Sequence, residues 1–426
     1  MKAYFKRFLN YFVKLESKIA FYPAVFSFLG FLFAFFMYYA ENKGISAYLI
    51  ENVPWMVINN ADTARVILTT FIAGLISIMV FSFSMVMILL NQASSNYSPR
   101  VLPGLISNRR HQYILGIYNA CLLYCIFTLI TVKPTGDKFQ LPGFSVLLSI
   151  IFMTICLGAF IYFIHSISQE IQINTILSKI YIKAKNRLNL LLKSEEDPKD
   201  FPNSDDWRTI HSPKTGYFQD INLHYLCEIC TENDLKVETI AIKGEYLLEG
   251  DLILKVDSSV DEDMETKLKE SFMFSKSEMI EDNYVLAFKQ ITEVAVKAMS
   301  PGINDPGTAV NAIDYLKDLL RLRLLKHDIS TFMDDEGHVR IFIKTLNFKH
   351  LLYGVMASLR AYCKHDVLVV QKLFSLLSYL ENDAEKAEPH YQDAIKAEIE
   401  NLYNDCKASL TNATDLSLIE KLYLKS

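Results

Sequence analysis

A short turn in the C-terminal half of the chain holds the residues best suited to binding a ligand. They are Ser300, Pro301, Gly302, Asn304, Asp305 and Thr308. Asp305 followed by Pro306 is typical of the start of a helix, and the free backbone amides of a helix start favour an anion. A rigid turn is the alternative, because the prolines fix the backbone and Asp305 would cap the helix while repelling an anion. The residues leave both interpretations open.

A second group of residues forms a stripe of small and polar side chains within an apolar segment. Its members are Thr70, Gly74, Ser77, Ser84, Asn91 and Ser95, interleaved with Phe81 and Ile88. Spacings of three and four place them on one face of a helix. Small and hydroxylated residues allow helices to pack closely in lipid, and the same residues can line a water-filled pore. The stripe is therefore a candidate for helix packing or for a pore.

No other pattern in the sequence indicates a reaction. Cys227 and Cys230 have Cys-x-x-Cys spacing but lie in a predicted helix without a second pair, which favours a buried helix face over zinc or disulfide exchange. The nine histidines are scattered, and no glycine-rich phosphate loop, nucleophile elbow or kinase signature occurs. We expect no catalytic residues, no metal and no cofactor, so the sequence disfavours an enzyme.

Charge and hydropathy divide the chain into two unlike parts. Hydrophobic residues make up 51% of the sequence, and the mean hydropathy is +0.17. Residues 1–195 carry 17 Lys and Arg against 7 Asp and Glu, whereas the remainder carries 26 against 41. A basic, apolar part followed by an acidic, mixed part is typical of a membrane domain joined to a soluble domain. It excludes collagen, a secreted disulfide scaffold and a dedicated nucleic-acid binder.

Four segments are long and apolar enough to cross a bilayer, at about residues 21–40, 64–90, 113–132 and 143–167. The connections between them place 12 Lys and Arg on one side and at most four on the other. The positive-inside rule therefore puts both termini in the cytoplasm. With no Asp, Glu or Arg inside a span, apart from Arg65 at the edge of the second, the sequence disfavours a proton relay or a voltage sensor.

The predicted fold class is an α-helical integral membrane domain followed by a cytoplasmic, mostly helical α+β domain. Residues 1–19 predict an amphipathic helix in the headgroup layer, and residues 20–170 the four-helix membrane domain. Residues 171–206 predict a helical neck and an acidic linker; the neck could join subunits as a coiled coil or pack on its own domain. A small α/β module at 207–257 should hold at least three strands and one helix, and 258–426 should be mostly helical.

Two segments resemble the hallmarks of a bacterial family described as predicted membrane protein, domain of unknown function 2254. They are the run from Ala295 to Ala309, with Ser-Pro-Gly-Ile-Asn-Asp-Pro at its centre, and the segment from Phe83 to Arg100. Shorter similar segments are 215–217, 249–251 and 357–360. Gly307 departs from the larger residue expected there. The resemblance covers nearly the whole chain and implies a multi-span protein of the bacterial inner membrane; it implies no particular activity.

Two hypotheses follow from these observations. The first is an oligomeric channel- or transport-like protein, in which the stripe of Thr70 to Ser95 lines a passage and the cytoplasmic domain regulates it. The second is a membrane-anchored sensor or scaffold that binds a partner or a small ligand through its cytoplasmic domain. In either case the expected partners are the lipid bilayer and further copies of the chain, with an ion or small solute for the channel and no nucleic acid.

Overall fold

The chain forms two units, Met1–Gln172 and Ile173–Ser426, here called the N-terminal and the C-terminal unit. The computed structural model describes a large part of both units, and its ranges are 20–52, 57–58, 60–96, 109–132, 141–170, 172–194, 203–275, 283–384 and 389–425. The predicted headgroup helix at 1–19 and the linker residues 195–202 lie outside the described residues, as does the segment 97–108.

Five helices make up the described part of the N-terminal unit. They are α1 (Phe21–Asn42), α2 (Ile45–Asn52), α3 (Ala61–Asn96), α4 (Arg109–Thr131) and α5 (Gly143–Glu170). All but the short α2 are long and apolar enough to cross a membrane, which confirms the four predicted spans. The sequence analysis missed α2, because its eight residues are too short for a span.

The outer surface of this unit is apolar. Phe36 of α1, Ile130 of α4 and Ile161 of α5 are 62%, 72% and 71% exposed. So many large apolar side chains on one surface would be unfavourable in water, and lipid chains are the solvent that suits them.

Helices α1 and α4 approach each other closely, and their contact depends on two glycines. A Cβ atom on Gly30 would lie 2.6 Å from the Cα and carbonyl oxygen of Ala120, and one on Gly116 would lie 2.3 Å from Cδ2 of Phe26. Small residues at such positions let two helices approach each other in lipid, where no hydrophobic force drives them together. Helix α4 also packs on α3 and α5, so it lies at the centre of the bundle.

A carboxylate from α1 caps the start of α5. Glu41 accepts hydrogen bonds from the backbone nitrogen of Ser145 at 2.9 Å and from its Oγ at 2.7 Å. Ser46 Oγ of α2 donates to the same carboxylate at 2.6 Å and accepts from the backbone nitrogen of Phe144 at 3.0 Å. A negative charge is favourable at a helix N-terminus. Through its hydrogen bonds with Ser46 and Ser145, Glu41 links the end of α1 to the starts of α2 and α5.

The C-terminal unit begins with α6 (Ile173–Ser194) and continues as an α/β region. Its elements are β1 (Arg208–His211), β2 (Gly216–Ile221), α7 (Leu223–Glu232), β3 (Val237–Thr239), β4 (Tyr246–Leu247), β5 (Leu252–Val256), α8 (Glu262–Glu270) and β6 (Phe272–Ser275). A helical region follows, with α9 (Tyr284–Ala298), α10 (Pro306–Leu324), β7 (Ile329–Met333), β8 (Val339–Lys344), α11 (Phe348–Cys363), α12 (Val367–Ala384), α13 (Pro389–Ser409) and α14 (Ala413–Tyr423).

The described strands form two sheets instead of the one small sheet that was predicted. One has the order β1-β5-β3-β8-β7 and the other the order β4-β2-β6. Strand β8 pairs in parallel with β3, so the larger sheet extends beyond the predicted range 207–257. Strands β4 and β5 belong to different sheets, because Gly250, at φ +93°, turns the chain between them.

Helix α6 packs on its own unit. Its apolar stripe, with Leu177, Ala184 and Leu188 fully buried, lies against α9 and α10. At one edge Asp318 of α10 accepts from Tyr181 Oη at 2.6 Å and from Lys185 Nζ at 2.9 Å. The stripe is thereby covered within the unit, so of the two alternatives for the neck the structure favours packing on its own domain.

Candidate functional site

Helix α3 carries two seams, each with a seven-residue repeat. The first consists of Leu68, Leu75, Ser82 and Leu89, all of them buried against the other helices of the N-terminal unit. A seven-residue repeat keeps one helix facing another when the two wind around each other with a left-handed twist. This seam therefore accounts for the packing of α3 within its own bundle.

The second seam, here called the polar seam, consists of Thr70, Ser77, Ser84 and Asn91, which also recur every seven residues. All four are exposed on the surface of the unit. Position 70 is two residues beyond position 68, and two helical residues turn by about 200°, so the polar seam lies nearly opposite the buried seam. The hydroxyl groups donate to carbonyl oxygens four residues earlier, at 2.7 Å for Thr70 and 2.9 Å for both serines.

The remaining predicted stripe residues divide between a helix contact and the surface. The Cβ position of Gly74 lies 3.6 Å from Met153 Cε of α5, and the ring of Phe81 lies 5.8 Å from that of Phe160. Ile88 is exposed, and the side chain of Ser95 lies outside the described residues. Among the described residues the polar seam is therefore not used to pack the helices of the N-terminal unit together, and its exposed side chains could contact lipid, water or a second copy of the chain.

The turn from Ser300 to Asp305 uses most of its polar groups internally. Ser300 Oγ donates to the carbonyl oxygen of Lys297 at 2.7 Å. The Asp305 carboxylate accepts from the backbone nitrogen of Thr308 at 3.1 Å and from Thr308 Oγ1 at 2.6 Å, as a helix cap does. The backbone nitrogen of Asp305 donates to the carbonyl oxygen of Ala298 at 2.8 Å, which closes the connection between α9 and α10.

This arrangement favours the structural interpretation of the turn. Pro301, Gly302 and Asn304 are exposed, and Asn304 adopts φ +51°, a left-handed conformation that Asn tolerates better than most residues. The Asp305 carboxylate occupies the amide end of α10, where an anion would have to bind. The structure thus brings the predicted residues together as a connection between two helices and shows no pocket for an anion at the described residues of the turn.

The cysteine pair is part of the core. Cys227 and Cys230 lie on the buried face of α7, and burial raises the pKa of the Cys230 thiol to about 12. Both are free thiols, and the described residues contain no group of His, Cys, Asp and Glu able to hold a metal ion. A protonated, buried thiol is a poor nucleophile and a poor metal ligand.

Two sites were not singled out by the sequence analysis. One is Glu41, which the sequence could have indicated, because an acidic residue stands there at the end of an apolar span. The other is a cavity in the C-terminal unit that Arg187 and Lys344 line from different elements. No local pattern could indicate that cavity, because its residues come from six separate parts of the sequence.

Four apolar spans followed by an α+β unit define an α-helical multi-span membrane protein. The family model described as predicted membrane protein (DUF2254) matches residues 16–379, so the chain belongs to this family, and the predicted family membership is confirmed. Similar proteins from Mycobacterium bovis and Mycobacterium tuberculosis, described as uncharacterized, are 22% identical over 373 residues, covering 84% of this chain and 70% of each relative. No solved structure matches the chain.

Proposed function

We propose that this protein is an oligomeric channel of the bacterial inner membrane, in which each subunit contributes the polar seam of α3 to a shared passage for ions or small solutes. The C-terminal unit then acts as the cytoplasmic regulatory part. The observation that carries the proposal is the exposure of Thr70, Ser77, Ser84 and Asn91 at seven-residue intervals on the surface of the subunit.

The repeat supports contact with a second copy more strongly than contact with lipid alone. A straight helix drifts by about 20° per seven residues, so a strict repeat stays on one line only when helices wind around each other. Lipid imposes no such repeat. Ala73, Val80 and Met87, which are exposed and also seven residues apart, alternate with the polar residues as the second position of a coiled-coil seam would.

The length of α3 suits a passage through the whole bilayer. From Thr70 to Asn91 the helix rises by about 32 Å, close to the hydrocarbon thickness of about 30 Å. Rings of hydroxyl groups at three depths would replace part of the water around a permeating solute. Because the polar seam contains no charged side chain, we expect weak selection between cations and anions.

The first experiment measures conductance of the purified full-length protein in planar bilayers. Ser77→Cys is the test variant, and Phe36→Cys, on the outer surface of α1, is the matched control. We expect a positively charged, water-soluble thiosulfonate reagent to reduce the current of Ser77→Cys at least fivefold and to leave Phe36→Cys unchanged. A current that does not respond in either variant argues against a passage along the polar seam.

Oxidative cross-linking in native membranes distinguishes the remaining arrangements. If Ser84→Cys forms disulfide-linked dimers in native membranes but the protein conducts no current in planar bilayers, the polar seam serves helix packing between subunits and not conduction. If the protein shows neither cross-links nor a current, the polar seam faces lipid, and the channel proposal is wrong.

The alternative is a membrane-anchored sensor or scaffold that uses its C-terminal unit. The turn at Ser300 to Thr308 lends it little support, because the Asp305 carboxylate already occupies the helix start. A basic cavity in the C-terminal unit is the observation that favours ligand binding by that unit.

A further inference from the structure

A cavity of about 240 Å³ lies inside the C-terminal unit, where the ends of β7 and β8 meet α6 and the start of α9. Much of its wall is apolar, with Phe218, Phe332 and Ile343 from three strands. The volume is near the lower end of the range for small-molecule sites, about 300 to 1,000 Å³. It therefore suits a compact ligand with an apolar body.

The polar part of the wall is basic. Arg187, Lys243, Lys326 and Lys344 line the cavity, and the described lining residues include no Asp or Glu. Lys243 is neutralised by an ion pair with Asp220. Arg187 and Lys344 make no ion pair with any residue that the structure describes. Arg187 is half-buried in the wall and Lys344 is exposed at its edge, and two positive charges beside one cavity without a described counter-charge favour an anion there.

Two buried donors in the cavity wall lack a partner. Arg187 Nε and Thr331 Oγ1 are shielded from solvent and have no hydrogen-bond acceptor in the described part of the chain. An unpaired buried donor costs about 1–3 kcal/mol, so native structures almost always supply a partner. Because both residues line the cavity, a ligand with oxygen acceptors bound against them would supply the missing partners.

The wall around these donors is rigid. The buried guanidinium of Arg323, at the end of α10, donates through Nη1 to the carbonyl oxygen of Lys326 at 2.7 Å and through Nη2 to that of Leu346 at 2.8 Å. Lys326 Nζ in turn donates to Ser330 Oγ at 3.0 Å. These bonds fix two segments that line the cavity, so the site is preformed and loses little conformational entropy on binding.

We propose that this cavity binds an organic oxyanion, a carboxylate or phosphate monoester with a small apolar group. The oxyanion accepts from Arg187 and Thr331 and pairs with Lys344, and the apolar group lies against Phe218 and Phe332. Because Arg187 lies on α6, the helix that follows the last membrane span in sequence, the bound anion would stabilise the packing of α6 on its unit. The test of this site is independent of the channel proposal, since binding can be measured whether or not the protein conducts a current.

Calorimetric titration of the full-length protein with phenyl phosphate tests the site. We expect saturable binding that weakens at least tenfold in Arg187→Gln and in Thr331→Val, since each variant removes one donor. Lys344→Gln should weaken binding at least threefold. Lys349→Gln is the matched control, because it removes the same charge from an exposed position on α11 that does not line the cavity, and it should bind as the unchanged protein does.

Benzyl alcohol and inorganic phosphate separate the two parts of the ligand. Benzyl alcohol bound as tightly as phenyl phosphate would show an apolar cavity without an anion site, and inorganic phosphate bound as tightly would remove the apolar group from the proposal. No binding of phenyl phosphate at millimolar concentration would overturn it entirely. If Arg187→Gln fails to fold, the comparison of Lys344→Gln with Lys349→Gln decides, and equal affinities contradict the proposal.

Discussion

Asn304 holds the connection between α9 and α10 in a conformation that few residue types adopt. Its φ of +51° costs a β-branched residue about 1–2 kcal/mol, whereas glycine adopts it freely. We therefore expect Asn304→Val to lower the free energy of unfolding by about that amount and Asn304→Gly to leave it nearly unchanged. Urea unfolding followed by circular dichroism measures both. Equal losses in the two variants would mean that the Asn304 side chain itself is needed.

Asp334, in the turn between β7 and β8, makes folding depend on pH. The hydrogen bond from Arg340 Nε at 2.8 Å and the backbone nitrogen of His338 hold the pKa of Asp334 at about 2, below its usual 3.8. Because the folded state releases this proton more readily than the unfolded state, the stabilisation is complete above about pH 5 and is lost as the pH falls from about 4 to 2.

Replacing Asp334 should flatten this dependence. We expect the unfolding free energy of Asp334→Asn to fall less steeply between pH 4 and pH 2 than that of the unchanged protein. Asp335→Asn, at the exposed neighbouring position, is the control and should keep the original slope. The measurement is urea unfolding at closely spaced pH values, and identical slopes in all three proteins would exclude Asp334 as the source.

The turn residues show how far the sequence predicts single side chains. Asp305 as a helix cap and Pro306 at the first helical position follow from local chemistry, and the structure has both. The basic cavity could not be predicted, because Arg187, Thr331 and Lys344 lie on separate elements that only the tertiary fold of the C-terminal unit brings to one cavity. Contacts between residues far apart in sequence leave no local periodicity.

Packing of α1 on α4 depends on Gly30. A methyl group there would lie 2.6 Å from backbone atoms of Ala120, so the helices must separate. We expect Gly30→Ala to destabilise the bundle by about 1–3 kcal/mol, the usual cost of overpacking. Gly158→Ala on α5 is the control, because no atom lies within 4 Å of its Cβ position.

Thermal unfolding of the two glycine variants in the same detergent decides this prediction. A lower midpoint for Gly30→Ala and an unchanged or higher midpoint for Gly158→Ala are expected, since alanine favours a helix more than glycine does. A Gly30→Ala protein as stable as the unchanged one would show that α1 and α4 have room to adjust.

Helices were predicted more accurately than strands, for a physical reason. The four predicted spans differ from α1, α3, α4 and α5 by a few residues at their ends. Strands β2, β6 and β7 have no clear signal in the sequence. They have six residues or fewer, and β2 starts with Gly216 and contains Asp220, so it lacks the alternation of apolar and polar residues that indicates a strand.

Regulation of the protein by an anion from the cell interior depends on its orientation in the membrane. If both termini are cytoplasmic, the cavity with Arg187 and Lys344 encounters the metabolites of the cell interior, and α2 lies on the outer side. The basis is the excess of Lys and Arg in one set of connections. All seven native cysteines are buried, so a single introduced thiol can report its own side of the membrane against a low background.

Tyr48→Cys on α2 and Lys349→Cys on α11 make the comparison, since both positions are exposed and Tyr48 is 66% exposed. We expect a membrane-impermeant maleimide to label Tyr48→Cys in intact spheroplasts and to label Lys349→Cys only after the membrane is opened. The reverse pattern would place the C-terminal unit outside the cell. Conduction through the polar seam would survive that result, because a passage has two ends, but regulation by an intracellular anion would not.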